Sequence, residues 1–200
     1  MNIENNRLVD SSMAELTRGS LGLTVVALGL CGFMYSSAAT GFGQVIFPDQ
    51  ANGSMIIENN QIVGSRLVAQ PFMQEKYFHP RPSAAKYDPM TMSGSNLART
   101  NPELSKIIDE RLNKISALEQ IEKSKIPADI VTASGSGIDP EIGVQSAMIQ
   151  VKRIARERHL TDQNVMQLIQ EHTIQPTFGI LGQARVNVLE LNLALDRVGK

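Results

Sequence analysis

The sequence predicts an α/β (α+β) protein in which one N-terminal transmembrane helix is followed by a single soluble domain with a small sheet and several helices. Three observations predict it. Residues 19–48, GSLGLTVVALGLCGFMYSSAATGFGQVIFP, contain no Asp, Glu, Lys, Arg or His. A hydrocarbon layer is crossed by roughly 20 helical residues, so this run is long enough. Beyond it, apolar residues recur at helical spacing from Leu104 onward, while short apolar runs around residues 54–65 are broken by Asn and Gly.

The uncharged run competes with three other readings. A secretory signal needs a basic head, a short apolar stretch and a small-residue cleavage site. Ser37-Ala38-Ala39 offers such a site, but Glu4, Asp10 and Glu15 outnumber Arg7 and Arg18, and the run continues through Phe42, Val45, Ile46 and Phe47. A lipoprotein site at Cys31 would want a small residue before it, and Leu30 is not small. A buried helix of a soluble core does not account for the length of the run. An uncleaved span is favoured. Within it Gly32, Ser36 and Thr40 recur every four residues, with Ser37 and Gly41 alongside. Small residues at that spacing allow another helix to approach closely.

Lys and Arg near a span set its orientation. Arg7 and Arg18 precede the run, and the first basic residue after it is Arg66. The expected organisation is therefore a cytoplasmic tail over 1–18, a transmembrane helix over 19–43 and a soluble extracytoplasmic domain over 44–200. About 150 residues suffice for one domain with its own core. A net charge of −1 gives no reason to expect nucleic acid as a partner. The single Cys lies in the apolar run, so the soluble part has neither disulfide nor thiol chemistry.

Residues 54–58 and 61–65, joined by Asn59-Asn60, read as a β-hairpin, with Met55, Ile57 and Ile62 expected to face the core. Pro71, Pro80 and Pro82 exclude a long helix from QPFMQEKYFHPRPSAAKY, which reads as an extended, packed loop over 70–87. Asn101 as N-cap, Pro102 in the first turn and Glu103 beside the positive helix end open an amphipathic helix to about Ser124. Its face is Leu104, Ile108, Leu112, Ile115 and Leu118. Residues 129–133 read as a strand and Ser134-Gly135-Ser136-Gly137 as a tight loop, with Asp139 capping a helical turn. Helices are expected over 144–159 and 161–172, a loop over 176–182, and a helix for VLELNLALDRV, started by Asn187 with Glu190 in a capping-box-like pair. The alternation of its leucines leaves a strand as the competing reading.

Chemistry is sparse. His79, His159 and His172 lack the spacing of a helical metal pair, so no metal site is expected and surface histidines are the plainer reading. No catalytic residue is assigned, because no nucleophile is accompanied by an identifiable base. The sharpest candidate is the loop Ser134, Gly135, Ser136 and Gly137, since glycine-rich turns expose N–H groups that can cradle phosphate. No Lys or Arg lies in the loop and Asp139 and Glu141 follow it, so a structural turn is favoured over a nucleotide site. Lys152, Arg153, Arg156 and Arg158 make a basic stripe, read as a solvated helix face.

YFHPRPSAAKY, SGSNL with TNP, IPADIVTASGSGIDPEI, QVKRIARERHL and LGQARVNVLELNLALD occur in this order. Together they resemble the C subunit of the Kdp-type potassium-transporting P-type ATPase over nearly the whole chain. The chain departs from that pattern at Met92, Ser93, Arg99, Glu141 and Lys152. The resemblance implies an accessory, non-hydrolysing subunit of an ATP-driven potassium importer in the bacterial inner membrane. Its implied partners are a channel-like potassium-binding subunit and an ATP-hydrolysing P-type subunit, with the small-residue stripe as docking seam. It implies no tightly bound cofactor, ATP and potassium being met only through the complex, and a proposed role as catalytic chaperone that raises ATP affinity. The alternative is a regulatory module that binds nucleotide directly through the TASGSG loop.

Overall fold

A long helix and a folded body account for the residues described by the computed structural model, 12–198. The tail containing Arg7 lies outside them. The two are separate compact units, divided between Asn52 and Gly53.

The helix, α1, runs continuously over Met13–Ile46. Ser12 and Glu15 form a reciprocal capping box at its start, which satisfies two N–H groups that a helix end otherwise leaves open. Thr17, Ser20 and Thr24 donate their hydroxyls to carbonyls one turn back, at 2.7, 2.8 and 2.8 Å. Polar groups in an apolar segment are thereby satisfied within the helix itself. The ladder widens to π-type turns over Leu28–Tyr35 and returns to α geometry from Ser36. None of the residues of α1 is buried within the unit, which leaves its whole apolar surface for lipid or other helices.

The body begins with the hairpin of β1 (Met55–Glu58) and β2 (Gln61–Ser65), turned by Asn59 and Asn60 in the left-handed conformation that Asn tolerates. Its facing differs from the sequence expectation. Met55, Ile57 and Ile62 point to solvent, at 51%, 63% and 65% exposure. The strands carry an irregularity between Ile56 and Ile57, and the opposite face, with Ile56 and Val63, is half-buried. Gly64 explains why that face is held close: a Cβ there would lie 2.1 Å from the Gln70 side chain and 2.8 Å from Leu189.

Helix α2 (Pro102–Glu119) starts on the Asn101 cap. It ends five residues before Ser124, because Gln120 turns left-handed and Ile121 N–H bonds back to Ser116 O at 3.2 Å. Residues 129–133 are not a strand. A 3₁₀ turn over Ala128–Ile130 follows Pro127, Thr132 donates its hydroxyl to Ala128 O at 2.8 Å, and the Asp129 carboxylate accepts Gly143 N–H at 2.7 Å. Nor does Asp139 open a helix. It accepts Glu141 N–H at 3.0 Å and leads into strand β3 (Glu141–Gly143).

The expected helix over 144–159 is two, α3 (Val144–Met148) and α4 (Val151–Arg158), broken at Gln150 whose side chain is drawn inward. Helix α5 (Asp162–Glu171) is capped by Thr161 and precedes β4 (Thr173–Ile174). Strand β5 (Arg185–Asn187) runs directly into the last helix, α6 (Val188–Val198), where Asn187 accepts Glu190 N–H at 3.2 Å. The strands form an antiparallel sheet in the order β3-β5-β4, pairing Ile142 with Val186 and Thr173 with Val186. Its inner face and helices α3–α6 close over Phe78, Ile142, Ile154, Val165, Ile169, Val186, Leu191 and Leu195, each at most 2% exposed. Burying side chains of this size stabilises by about 1.5–3 kcal/mol each before entropy is counted.

Candidate functional site

Two loops dominate the body. The glycine loop 134–137 is tied to its own residues and to the chain before it. Ser134 is buried and its hydroxyl accepts Gly137 N–H at 2.9 Å. Ser136 Oγ accepts Ile138 N–H at 3.2 Å, and Ser134 N–H donates to Pro82 O at 3.1 Å. Ser83 donates its hydroxyl to Gly137 O at 2.5 Å. Gly137 has φ +75°, and a Cβ there would fall 2.6 Å from Ser93 O and 2.7 Å from Ala85 Cβ. The structure therefore brings the TASGSG loop against Ser83, Ala85 and Ser93. Arg81 is brought near as well, but bonds Asp139 at 2.9 Å.

The second loop, 70–87, is a proline-rich strap without helix or strand. Its backbone groups must still find partners when buried, and buried side chains supply them. Asn192, 1% exposed, accepts Phe78 N–H at 2.8 Å and donates to Phe78 O at 3.0 Å. Gln150 accepts His79 N–H at 2.8 Å and donates to His79 O at 3.3 Å. Each amide offers one acceptor and one donor edge, as a neighbouring β-strand would. Arg153 donates to Tyr77 O at 2.9 Å and to Glu75 O, and pairs with Glu119 at 2.9 Å. Arg158 donates to Lys76 O at 2.9 Å and to Asp196 at 2.7 Å, with its guanidinium 4.8 Å from the Tyr77 ring. Tyr77 also donates its hydroxyl to Asp196 at 3.0 Å.

These contacts correct the reading of a solvated basic face. Lys152 and Arg156 face water, but Arg153 is 1% exposed and Arg158 reaches back to the strap. Asn192, Gln150 and Glu119 escaped the sequence reading, and Arg153 was read as solvated. Glu119, Arg153 and Asn192 are polar residues at buried positions of their helices, and Gln150 is one at the break between α3 and α4; that placement was the available signal.

A cavity of about 340 Å³ lies between the strap and α2, lined by His79, Arg111, Lys114, Ile115, Leu118 and Glu119 among others. Burial, reinforced by the Arg153 charge, lowers the His79 imidazole to about 4. Burial raises the Glu119 carboxyl above its ordinary range, against the pull of Arg153, and its Oε2 is buried without a hydrogen-bond partner. Burial likewise lowers Arg111, which donates to Val131 O at 2.9 Å. Among the described residues, no three His, Cys, Asp or Glu are grouped to hold a metal ion.

On α1, Gly32, Ser36, Thr40, Ser37 and Gly41 are all exposed, and nothing lies within 4 Å of a Cβ built at Gly32 or Gly41. The small-residue stripe is thus open along its length.

An apolar helix long enough to cross a membrane, joined to a small α/β body, defines a class: proteins with one candidate span followed by one folded domain. Comparison with known proteins narrows it. The family described as KdpC, K+-transporting ATPase, c chain, matches residues 17–197. A potassium-transporting ATPase KdpC subunit of Xanthomonas campestris pv. campestris is 47% identical over 182 residues, covering 91% of this chain and 87% of that one. The subunit of the same name from Shewanella putrefaciens is 41% identical over 195 residues, 98% of each chain, and that from Beijerinckia indica 49% over 170 residues, 84% and 86%. The chain belongs to the KdpC family and is a subunit of a potassium-transporting ATPase complex.

Proposed function

We propose that the chain is an accessory, non-hydrolysing subunit that stabilises this complex and raises the ATP affinity of its P-type subunit, acting as a catalytic chaperone. The effect is transmitted through helix packing in the inner membrane, with Gly32, Ser36, Thr40, Ser37 and Gly41 as the seam against the channel-like, potassium-binding subunit. The N-terminus is cytoplasmic and the body periplasmic, a topology supported by Arg7 and Arg18 before the apolar run. No cofactor is held tightly by the chain, and ATP and potassium reach it only as substrates of the complex.

The observation that supports the indirect route is the tying down of the glycine loop and its lack of a cation. Ser134, Gly137 and Ile138 N–H groups already bond Pro82 O, Ser134 Oγ and Ser136 Oγ. That leaves only the exposed Gly135 and Ser136 N–H groups to face an anion, with no Lys or Arg in the loop and Arg81 paired with Asp139.

The test measures ATP KM of the complex with and without this chain, alongside ATP titration of the full chain in detergent. The expected result is a raised KM without the chain and no binding at millimolar ATP. Saturable binding abolished by Ser134→Ala or Gly135→Ala would replace this reading with direct nucleotide contact. Protease access to residues 53–198 in sealed vesicles checks sidedness.

A further inference from the structure

The turn Pro176–Gly182, TFGIL at its centre, is the least explained part of the body. Phe178 is 88% exposed, Ile180 81% and Leu181 58%. Scattered exposed apolar residues are ordinary, but three here fall on one short turn. The turn is fastened from within. Thr177 N–H donates to Leu181 O at 2.8 Å, Leu181 N–H to Thr177 O at 3.0 Å and Gly179 N–H to Pro176 O at 2.9 Å. Phe178 sits at φ +55°, a conformation that costs a bulky residue energy and is held here by the turn's own backbone bonds. Its ring therefore projects from a backbone set before any partner arrives, which lowers the ordering cost of binding.

The charge pattern selects the kind of partner. Residues 173–184 contain no Asp, Glu, Lys or Arg, and the chain has no Trp. The nearest cation beyond, Arg185, is paired with Glu141 at 2.7 Å. Segments that bind anionic headgroups add Lys or Arg beside their apolar residues, and this turn offers none. An uncharged aromatic anchor flanked by aliphatic side chains fits the desolvated centre of a protein interface. Membership of a multi-subunit ATPase supplies the protein partners. We propose that the Thr177–Leu181 turn is a docking anchor whose Phe178 enters an uncharged apolar pocket on another subunit of the same complex. This contact lies outside the membrane helix and is independent of the glycine loop.

The inference rests on membership of the complex, and the experiment separates the two. Full-length wild-type, Phe178→Asn and Ile180→Ser chains are each co-expressed with the other subunits and recovered in detergent through a tag on one of those. Asn accepts the left-handed backbone, so the melting temperature of the Phe178→Asn chain alone should be unchanged or raised. Its recovery with the complex should fall about 30-fold or more, and that of Ile180→Ser less. Loss of wild-type recovery would sink complex membership itself. Wild-type recovery with undiminished Phe178→Asn recovery overturns the docking anchor. So does a lowered melting temperature for Phe178→Asn, which would give the ring an internal role. Two further results also overturn it: loss of binding to anionic vesicles in place of loss of assembly, and a change confined to self-association of the chain.

Discussion

The strap over residues 70–87 and the turn over 176–182 are both irregular, both rich in proline or glycine, and both built around a phenylalanine. Phe78 in the strap is fully buried, and its N–H and C=O are held by Asn192. Phe178 in the turn is 88% exposed and held only by the turn's own backbone. Irregular backbone alone does not distinguish a structural loop from a recognition loop. The source of its hydrogen bonds does. A loop whose bonds come from distant helices is part of the core, whereas one that bonds only itself leaves its side chains free for something else.

The largest effect that would break this contrast is on the strap side. Arg153→Ala leaves Glu119 buried beside its lost partner and should cost about 3–5 kcal/mol, read by chemical denaturation of the full chain. Arg153→Met with Glu119→Leu removes both charges, and most of that loss should return. If the double variant is no better than the single, the strap depends on the carbonyl bonds of Arg153 more than on the ion pair. Asn192→Leu strips both backbone groups of Phe78 and should cost about 2–4 kcal/mol by the same measurement. Gly137→Ala combines a left-handed φ with contact against Ser93 O, so a loss of about 1–3 kcal/mol in a thermal melt is expected.

Acid sharpens the contrast further. His79 titrates at about 4 in the folded body against 6.5 ordinarily. Between those values the unfolded chain takes up a proton that the folded one refuses. Stability is therefore intact above pH 6.5 and declines as pH falls toward 4, by no more than about 1.4 kcal/mol per unit. His79→Gln should flatten that limb. Glu119 acts with the opposite sign, since its raised carboxyl holds a proton longer when folded and weakens the fold as pH rises above its ordinary 4.5. An unaltered slope in His79→Gln would assign the acid limb elsewhere. Smallest of all, Phe178→Ala should move the stability of the isolated chain by less than about 0.5 kcal/mol, while assembly is lost.

Much of the fold was legible in the sequence because local rules decide it. The uncharged run, the Asn101-Pro102 helix start, the Asn59-Asn60 turn and the Asn187–Glu190 cap each depend on a few neighbours. What escaped depends on long-range partners. Residues 129–133 have strand-like composition, yet Asp129 serves Gly143 and Ser146 across the body, and the backbone follows the side chain. The helix over 144–159 looks continuous until Gln150 is required by His79. Arg153 carries a surface residue's charge, yet it is buried and donates to the carbonyls of Glu75 and Tyr77, 78 and 76 positions earlier. The glycine loop was recognisable as a turn from its residues, while its attachment to Ser83 and Ser93 was not.

The fastening of the strap has a bearing on biogenesis. Phe78 meets a residue 114 positions later and Tyr77 one 119 positions later. Pairings so remote in sequence form slowly and cannot form on a nascent chain until its final helix has emerged. The strap therefore cannot be fastened at Tyr77 and Phe78 until α6 has been synthesised, and its closure is a late step of folding.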